Sequence, residues 1–197
     1  VDEIVAVTGV SKVKADKEVT DSVDRLVWYA GWTDKIASLA GSTNPVAGPF
    51  YNFTIPESMG VVAAIAPETP SLLGLIDCVA PIITSGNTVV VLASTDAPLS
   101  AMTFAEVLAT SDLPHGVINI LTGKKKEIAP WMASHMDIDA LDISGIPAKM
   151  HSEIKLHAET KVAGAENLKR IHSFKSADPG RIIAFMEAKT VWHPIGL

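Results

Sequence analysis

One cysteine, Cys78, is all that the 197 residues contain, so no internal disulfide framework can form. That usage suits the reducing cytoplasm, the compartment expected for this chain. Positive charge is also short. Sixteen lysines and arginines against 22 aspartates and glutamates leave a formal charge of −6. Nucleic-acid binding needs clustered base and is not expected. No apolar run reaches the length that crosses a bilayer, so no membrane partner is expected either. Internal repeats and low-complexity tracts are missing. The first residue is Val1, so the start has been processed or further residues precede it, and no signal-peptide pattern is read there.

What is present is ample apolar character, 48% against 19% charged, over about one domain's length. Asp16 to Ala40 carries Val19, Val23, Leu26, Val27 and Ala30 at helical spacing and stops at Gly41. That predicts an amphipathic helix with one buried stripe. Tyr51, Phe53 and Ile55 alternate with polar residues, as in a half-buried strand. Gly60 to Ala66 is short and wholly apolar, which predicts a strand buried on both faces.

From there strand and helix alternate. Pro70 to Ser85 is a buried helix closed by Gly86, and Thr88 to Ala93 is a β-branched strand. Pro98 to Ser111 is a helix with proline near its first turn. Val117 to Leu121 is a strand, and Lys124 to His135 is a helix expected to bury Ile128, Trp131 and Met132. Ile138 to Ile143 is a strand. Pro147 to Ala165 is a helix with Ser144 as a cap, and Leu168 to Phe174 is a last strand. The pattern predicts the α/β class, with a doubly wound, parallel, five-stranded Rossmann-like sheet. Residues 1–176 make this domain. Residues 177–197 make a linker and an extended C-terminal β arm closed by Pro194 and Gly196.

Few residues suggest chemistry by themselves. Glu68 reads as a loop carboxylate at a strand end. Lys124 to Lys126 read as a solvated helix start, because cations are disfavoured at a helix N-terminus. His151 and His157 lie six apart and do not share a helical face, so no metal site is expected. Cys78 reads as a buried small hydrophobe. Trp28, Trp32 and Trp131 read as core or rim packing, whereas Trp192, in an extended tail, suits an interface anchor.

Several segments resemble one family. Tyr29-Ala-Gly-Trp-Thr-Asp-Lys35, Met59-Gly-Val-Val62, Val79-Ala-Pro81 and Ser85-Gly-Asn-Thr-Val-Val90 are similar, in order and spacing, to the nucleotide-binding half of aldehyde dehydrogenases. So are Ala97-Pro-Leu-Ser-Ala101, Leu113-Pro-His-Gly-Val-Ile-Asn119, Ser134-His-Met-Asp-Ile-Asp139 and Asn167-Leu-Lys-Arg170. The tail Phe185-Met-Glu-Ala-Lys-Thr-Val-Trp192 resembles the family's last strand, which crosses to a neighbouring subunit and joins its catalytic sheet. The catalytic domain that lies between these parts in the family has no counterpart here.

The resemblance implies a degenerate unit. The family's Pro-Trp-Asn-Phe-Pro holds an amide that stabilises the oxyanion, and Thr69 stands at its asparagine. The family's Leu-Lys-Pro-x-Glu clamps the ribose, and Leu92 and Thr95 stand at the lysine and glutamate. Its Gly-x-Gly becomes Gly123-Lys-Lys, its Phe-Thr-Gly-Ser keeps Gly145 but has Ile146 for serine, and Phe174 stands at the general-base glutamate. The catalytic cysteine belongs to the missing domain. No catalytic residue is therefore expected. Ala66, Pro67, Gly123 and Gly145 are vestigial cofactor positions, and NAD(P) binding is expected to be weak or absent. Met186, Ala188, Thr190 and Trp192 are the expected interface.

The resemblance thus implies a non-catalytic subunit, inactive alone, that assembles with and stabilises a full-length, active NAD(P)-dependent aldehyde dehydrogenase in a hetero-oligomer. Two rivals are a component contributing to NAD-dependent aldehyde oxidation and a small nucleotide-sensing module.

Overall fold

The computed structural model describes residues 1–146 and 154–196. Three helices come first: α1 (Asp2–Thr8), α2 (Lys12–Ala30) and α3 (Ile36–Ala40). Strands β1 (Ser42–Asn44) and β2 (Phe50–Ser58) follow. The alternating part contains β3 (Val61–Ile65), α4 (Ser71–Thr84), β4 (Thr88–Leu92), α5 (Leu99–Ala109) and β5 (Ile118–Leu121). It continues with α6 (Lys125–Ser134), β6 (Ala140–Asp142), α7 (Ile154–Glu166) and β7 (Arg170–His172). The tail holds α8 (Gly180–Ile183) and β8 (Met186–Pro194). The start of the helix expected from Pro147, and His151, lie outside the described residues.

The five-stranded parallel sheet runs β5-β4-β3-β6-β7. The chain moves outward from β3 to β5 and then returns to β6 on the other side of β3. That reversal is a topological switch point. Side-chain alternation explains why β3 is apolar throughout. Val62, Ala64 and Ala66 enter one core with Leu75, Cys78, Val79 and Ile82 of α4. Ala63 and Ile65 enter the opposite core with Ala129 and Met132 of α6 and Leu156 of α7. Each face is covered by helices, so no strand position on β3 is left for a polar residue.

Helix α2 differs from its expected stripe. Val23 and Val27 are 54% and 67% exposed, while Ala15, Ser22 and Tyr29 are buried. Polar contacts choose this face. Glu18 accepts the Leu72 and Leu73 amides at 2.8 and 3.4 Å, serving the otherwise uncapped N-terminus of α4. Arg25 pairs with Asp77 of α4. Trp131 also departs from expectation, at 76% exposed, because Ala129, Met132 and Ala133 form the inner face of α6.

A second, antiparallel sheet has the order β1-β2-β8. The half-buried stripe expected on β2 is reversed. Asn52 is buried, held by the Asn44 side-chain amide at 2.6 Å, while Tyr51 and Ile55 are exposed. The extended C-terminal arm is present as β8. Strand β8 pairs with β2 of its own chain from Ser58↔Met186 to Phe50↔Pro194.

Two contacts fix the tail before it reaches β2. Phe185 is fully buried in the α4-side core, and its carbonyl accepts the Asn87 side-chain amide at 2.7 Å. Arg181 reaches Asp142 at the end of β6, Nη2 to Oδ2 2.9 Å, with side chains 3% and 0% exposed. Its guanidinium also lies 4.6 Å above the Phe174 ring.

Arg181→Met leaves the Asp142 carboxylate buried without its cation. The expected cost is about 3–5 kcal/mol, seen as a lower urea midpoint. The double variant Asp142→Asn/Arg181→Met should recover part of that loss; purely additive losses would contradict a coupled pair. On α2, Tyr29→Ala should cost about 3–5 kcal/mol, whereas Val23→Ser should stay within about 0.5 kcal/mol. The reverse order in thermal melts would contradict the observed burial.

Candidate functional site

The switch point lies outside the carboxyl ends of β3 and β6, where open α/β sheets bind ligands. Ala66 and Gly145 meet there. The Gly145 amide donates to the Ile65 carbonyl at 2.8 Å. A Cβ at Gly145 would overlap the backbone of Ile65 and Ala66, so only glycine allows this approach. Beside them lies a cavity of about 230 Å³ lined by Pro67, Thr69, Cys78, Ser144, Phe174 and Arg181, among others. The structure therefore brings Thr69 and Phe174, far apart in sequence, to one cavity.

Two polar groups at this cavity, Ser144 and Arg181, are both engaged with Asp142. The Ser144 hydroxyl donates to Asp142 and accepts the Phe174 amide at 2.8 Å. It is a bridge between the ends of β6 and β7. Cys78 is buried, and burial pushes its thiol well above the ordinary range, so no nucleophilic thiolate forms at neutral pH. His157 places Nδ1 2.7 Å from the Ile146 carbonyl. Among the described residues no cluster of His, Cys, Asp or Glu could hold a metal ion.

A second polar group sits at the same end of the sheet. Lys125 is not solvated, as its place in a lysine run suggested, but only 6% exposed. Its ammonium lies 2.7 Å from Glu68 Oε1 and 3.2 Å from the Gly145 carbonyl. Glu68 is correspondingly more than a loop carboxylate. It also accepts the Ser94 hydroxyl at 2.7 Å and the Asp96 amide at 3.1 Å. Nothing in the sequence pairs Glu68 with Lys125; the parallel strand order brings their loops together.

The residues at the implied ribose positions offer no free polar group. Leu92 is fully buried in the core beneath α6. Thr95 donates its hydroxyl to the Gly123 carbonyl at 3.0 Å. The implied interface residues lie elsewhere, on β8. Met186, Ala188, Thr190 and Trp192 oppose Ser58, Pro56, Thr54 and Asn52 of β2. Trp192 is 58% exposed and meets Phe50 edge to face, 5.8 Å between ring centroids.

These features can be compared with known proteins. The aldehyde dehydrogenase family model matches residues 2–169. Human aldehyde dehydrogenase 1A1 is 34% identical over 154 residues, 78% of this chain and 29% of that protein. Human retinal dehydrogenase 2 is 39% identical over 145 residues, 73% of this chain and 26% of that protein. The crystal structure of PnpE from Pseudomonas sp. WBC-3 superposes with a TM-score of 0.71 at 28% identity, covering 79% of this chain and 30% of that one. A complex of PnpE with nicotinamide adenine dinucleotide matches equally well. The chain thus spans less than a third of these relatives' length. A doubly wound five-stranded sheet, a glycine-permitted approach at its switch point and a family match over most of its residues make this chain a member of the aldehyde dehydrogenase family.

Proposed function

We propose that this chain is a non-catalytic aldehyde dehydrogenase-like subunit that assembles with and stabilises an active NAD(P)-dependent aldehyde dehydrogenase. The observation that carries the reading is the placement of β8. It pairs with β2 along its whole length and ends its sheet, so its outer edge has no strand beside it among the described residues. An open edge strand is a template for another chain, and adding it to a partner's sheet satisfies its backbone groups. The exposed Phe50, Tyr51, Ile55 and Trp192 give the same small sheet apolar surface.

The chemistry supports a scaffold rather than a catalyst. Thr69 and Phe174 replace the oxyanion donor and general base, and Cys78 is buried away from any nucleophilic role. Residues 1–176 serve as the folded body and 177–197 as the arm that presents the edge. Dinucleotide binding is weak or absent, because Leu92 and Thr95 give ribose hydroxyls no partner. A second reading makes the chain a component that contributes to NAD-dependent aldehyde oxidation, with the cysteine on its partner. Its support is the likeness to PnpE in complex with that dinucleotide.

The purified chain alone should oxidise no aldehyde at any NAD(P) concentration. With a full-length, active aldehyde dehydrogenase from the same source, sedimentation velocity should show a joint particle. Deleting Ala188–Leu197 should abolish that particle. Trp192→Ala, which leaves β8 in place, should weaken it about 30-fold. Unchanged assembly by both variants would sink the role assigned to the arm.

A further inference from the structure

The ion pair at the sheet's carboxyl end has a placement that ordinary surface pairs lack. Glu68 comes from the loop after β3, Ser94 and Asp96 from the loop after β4, and Lys125 is the first residue of α6, just after β5. Gly145, whose carbonyl accepts from Lys125, follows β6. The loops after β3, β4, β5 and β6 therefore converge on one carboxylate–ammonium contact. It lies at the switch-point end of the sheet, beside the Ala66–Gly145 approach.

The chemistry of the pair works against an anionic ligand. Lys125 stands at a helix N-terminus, where a cation opposes the helix dipole. Its near-complete burial is tolerated because Glu68 and the Gly145 carbonyl surround its ammonium. The cation that a pyrophosphate would seek is already neutralised. Glu68, its side chain 28% exposed, is the partly accessible member of that neutralised pair. Entry of a dinucleotide there would strip Lys125 of its partners and set phosphate oxygens against Glu68.

We propose that Glu68 and Lys125 form an internal latch that closes the switch-point crevice to dinucleotides, tying together the loops that a bound dinucleotide would otherwise tie. The latch rests on the reading that this chain does not bind dinucleotide tightly, and supplies its physical cause. It also makes the crevice stable without a ligand. Three donors converge on the Glu68 carboxylate: the Lys125 ammonium, the Ser94 hydroxyl and the Asp96 amide.

The latch carries a pH signature. Burial raises the Glu68 carboxyl, but the hydrogen bonds from Lys125, Ser94 and the Asp96 amide outweigh it and hold the group below the usual carboxylate range. A depressed folded-state pKa stabilises the protein above the unfolded value of about 4.3 and loses that contribution as pH falls through the folded value. Wild-type protein should therefore melt above Glu68→Gln at pH 7, and the gap should close as the pH is lowered from about 5 toward 3. A gap that does not change with pH would show that Glu68 carries no charge-dependent role.

The decisive experiment is an NADH titration of the intact chain by isothermal calorimetry, with folding checked by circular dichroism. Wild type should show no saturable binding up to about 1 mM NADH, the range of very weak affinity. Glu68→Ala/Lys125→Ala should gain at least tenfold in affinity. Glu68→Gln/Lys125→Met, which keeps the bulk but not the charge, should gain less. Tight binding by wild type would overturn the reading beneath the proposal. Silent wild type with a folded alanine pair that gains nothing would overturn the latch alone. If the alanine pair fails to fold, Glu68→Ala by itself supplies the same comparison, because it removes the carboxylate and frees the Lys125 ammonium for phosphate, with no gain again counting against the latch.

Discussion

A carboxylate buried at the end of a central strand demands a cation, and that demand organises the last third of this molecule. Asp142 is wholly inaccessible, next to β3 and β7. Arg181 reaches it from the short helix after the linker. That contact places α8 against the sheet, seats Phe185 in the core, and delivers β8 to β2. Ser144 and Phe174 complete the junction through a hydroxyl bridge and a ring under the guanidinium. A buried pair of this kind adds little net stability over an apolar pair of the same shape, but a lone member is strongly unfavourable. Its effect is to specify one arrangement of tail on sheet.

Much of the sheet was legible because period and length agree. The run from Gly60 to Ala66 and the β-branched Thr88 to Ala93 lie at adjacent central strands, and Gly86 follows α4 as expected, whereas the single helix expected from Asp16 to Ala40 is broken after Ala30 into α2 and α3. The fold class followed from that alternation. What misled was apolar pattern on surfaces where polar contacts decide. On α2 the face carrying Glu18, Ser22 and Arg25 is turned inward because Glu18 and Arg25 act on α4, leaving Val23 and Val27 outside. On β2 the buried position is Asn52, whose side-chain oxygen accepts the Asn44 amide on that side. The arm looked independent because its partner strand lies more than a hundred residues earlier.

The site was legible in the positions it occupies and less so in its contacts. Thr69 and Phe174, singled out separately, share one cavity at the expected end of the sheet. The Glu68–Lys125 pair was hidden by context: a lysine inside a triple-lysine run reads as solvated, and only strand order brings the loops after β3 and β5 together. Both features fit one picture. The fold of the aldehyde dehydrogenase family is kept, Glu68 and Lys125 join the loops after β3 and β5, and the C-terminal strand ends its sheet among the described residues.

Native mass spectrometry of the particle isolated from its source, with every subunit identified, tests that picture most directly. The account predicts this chain in a defined complex with a larger, cysteine-bearing aldehyde dehydrogenase. A particle made only of this chain, whether monomer or homo-oligomer, would contradict it.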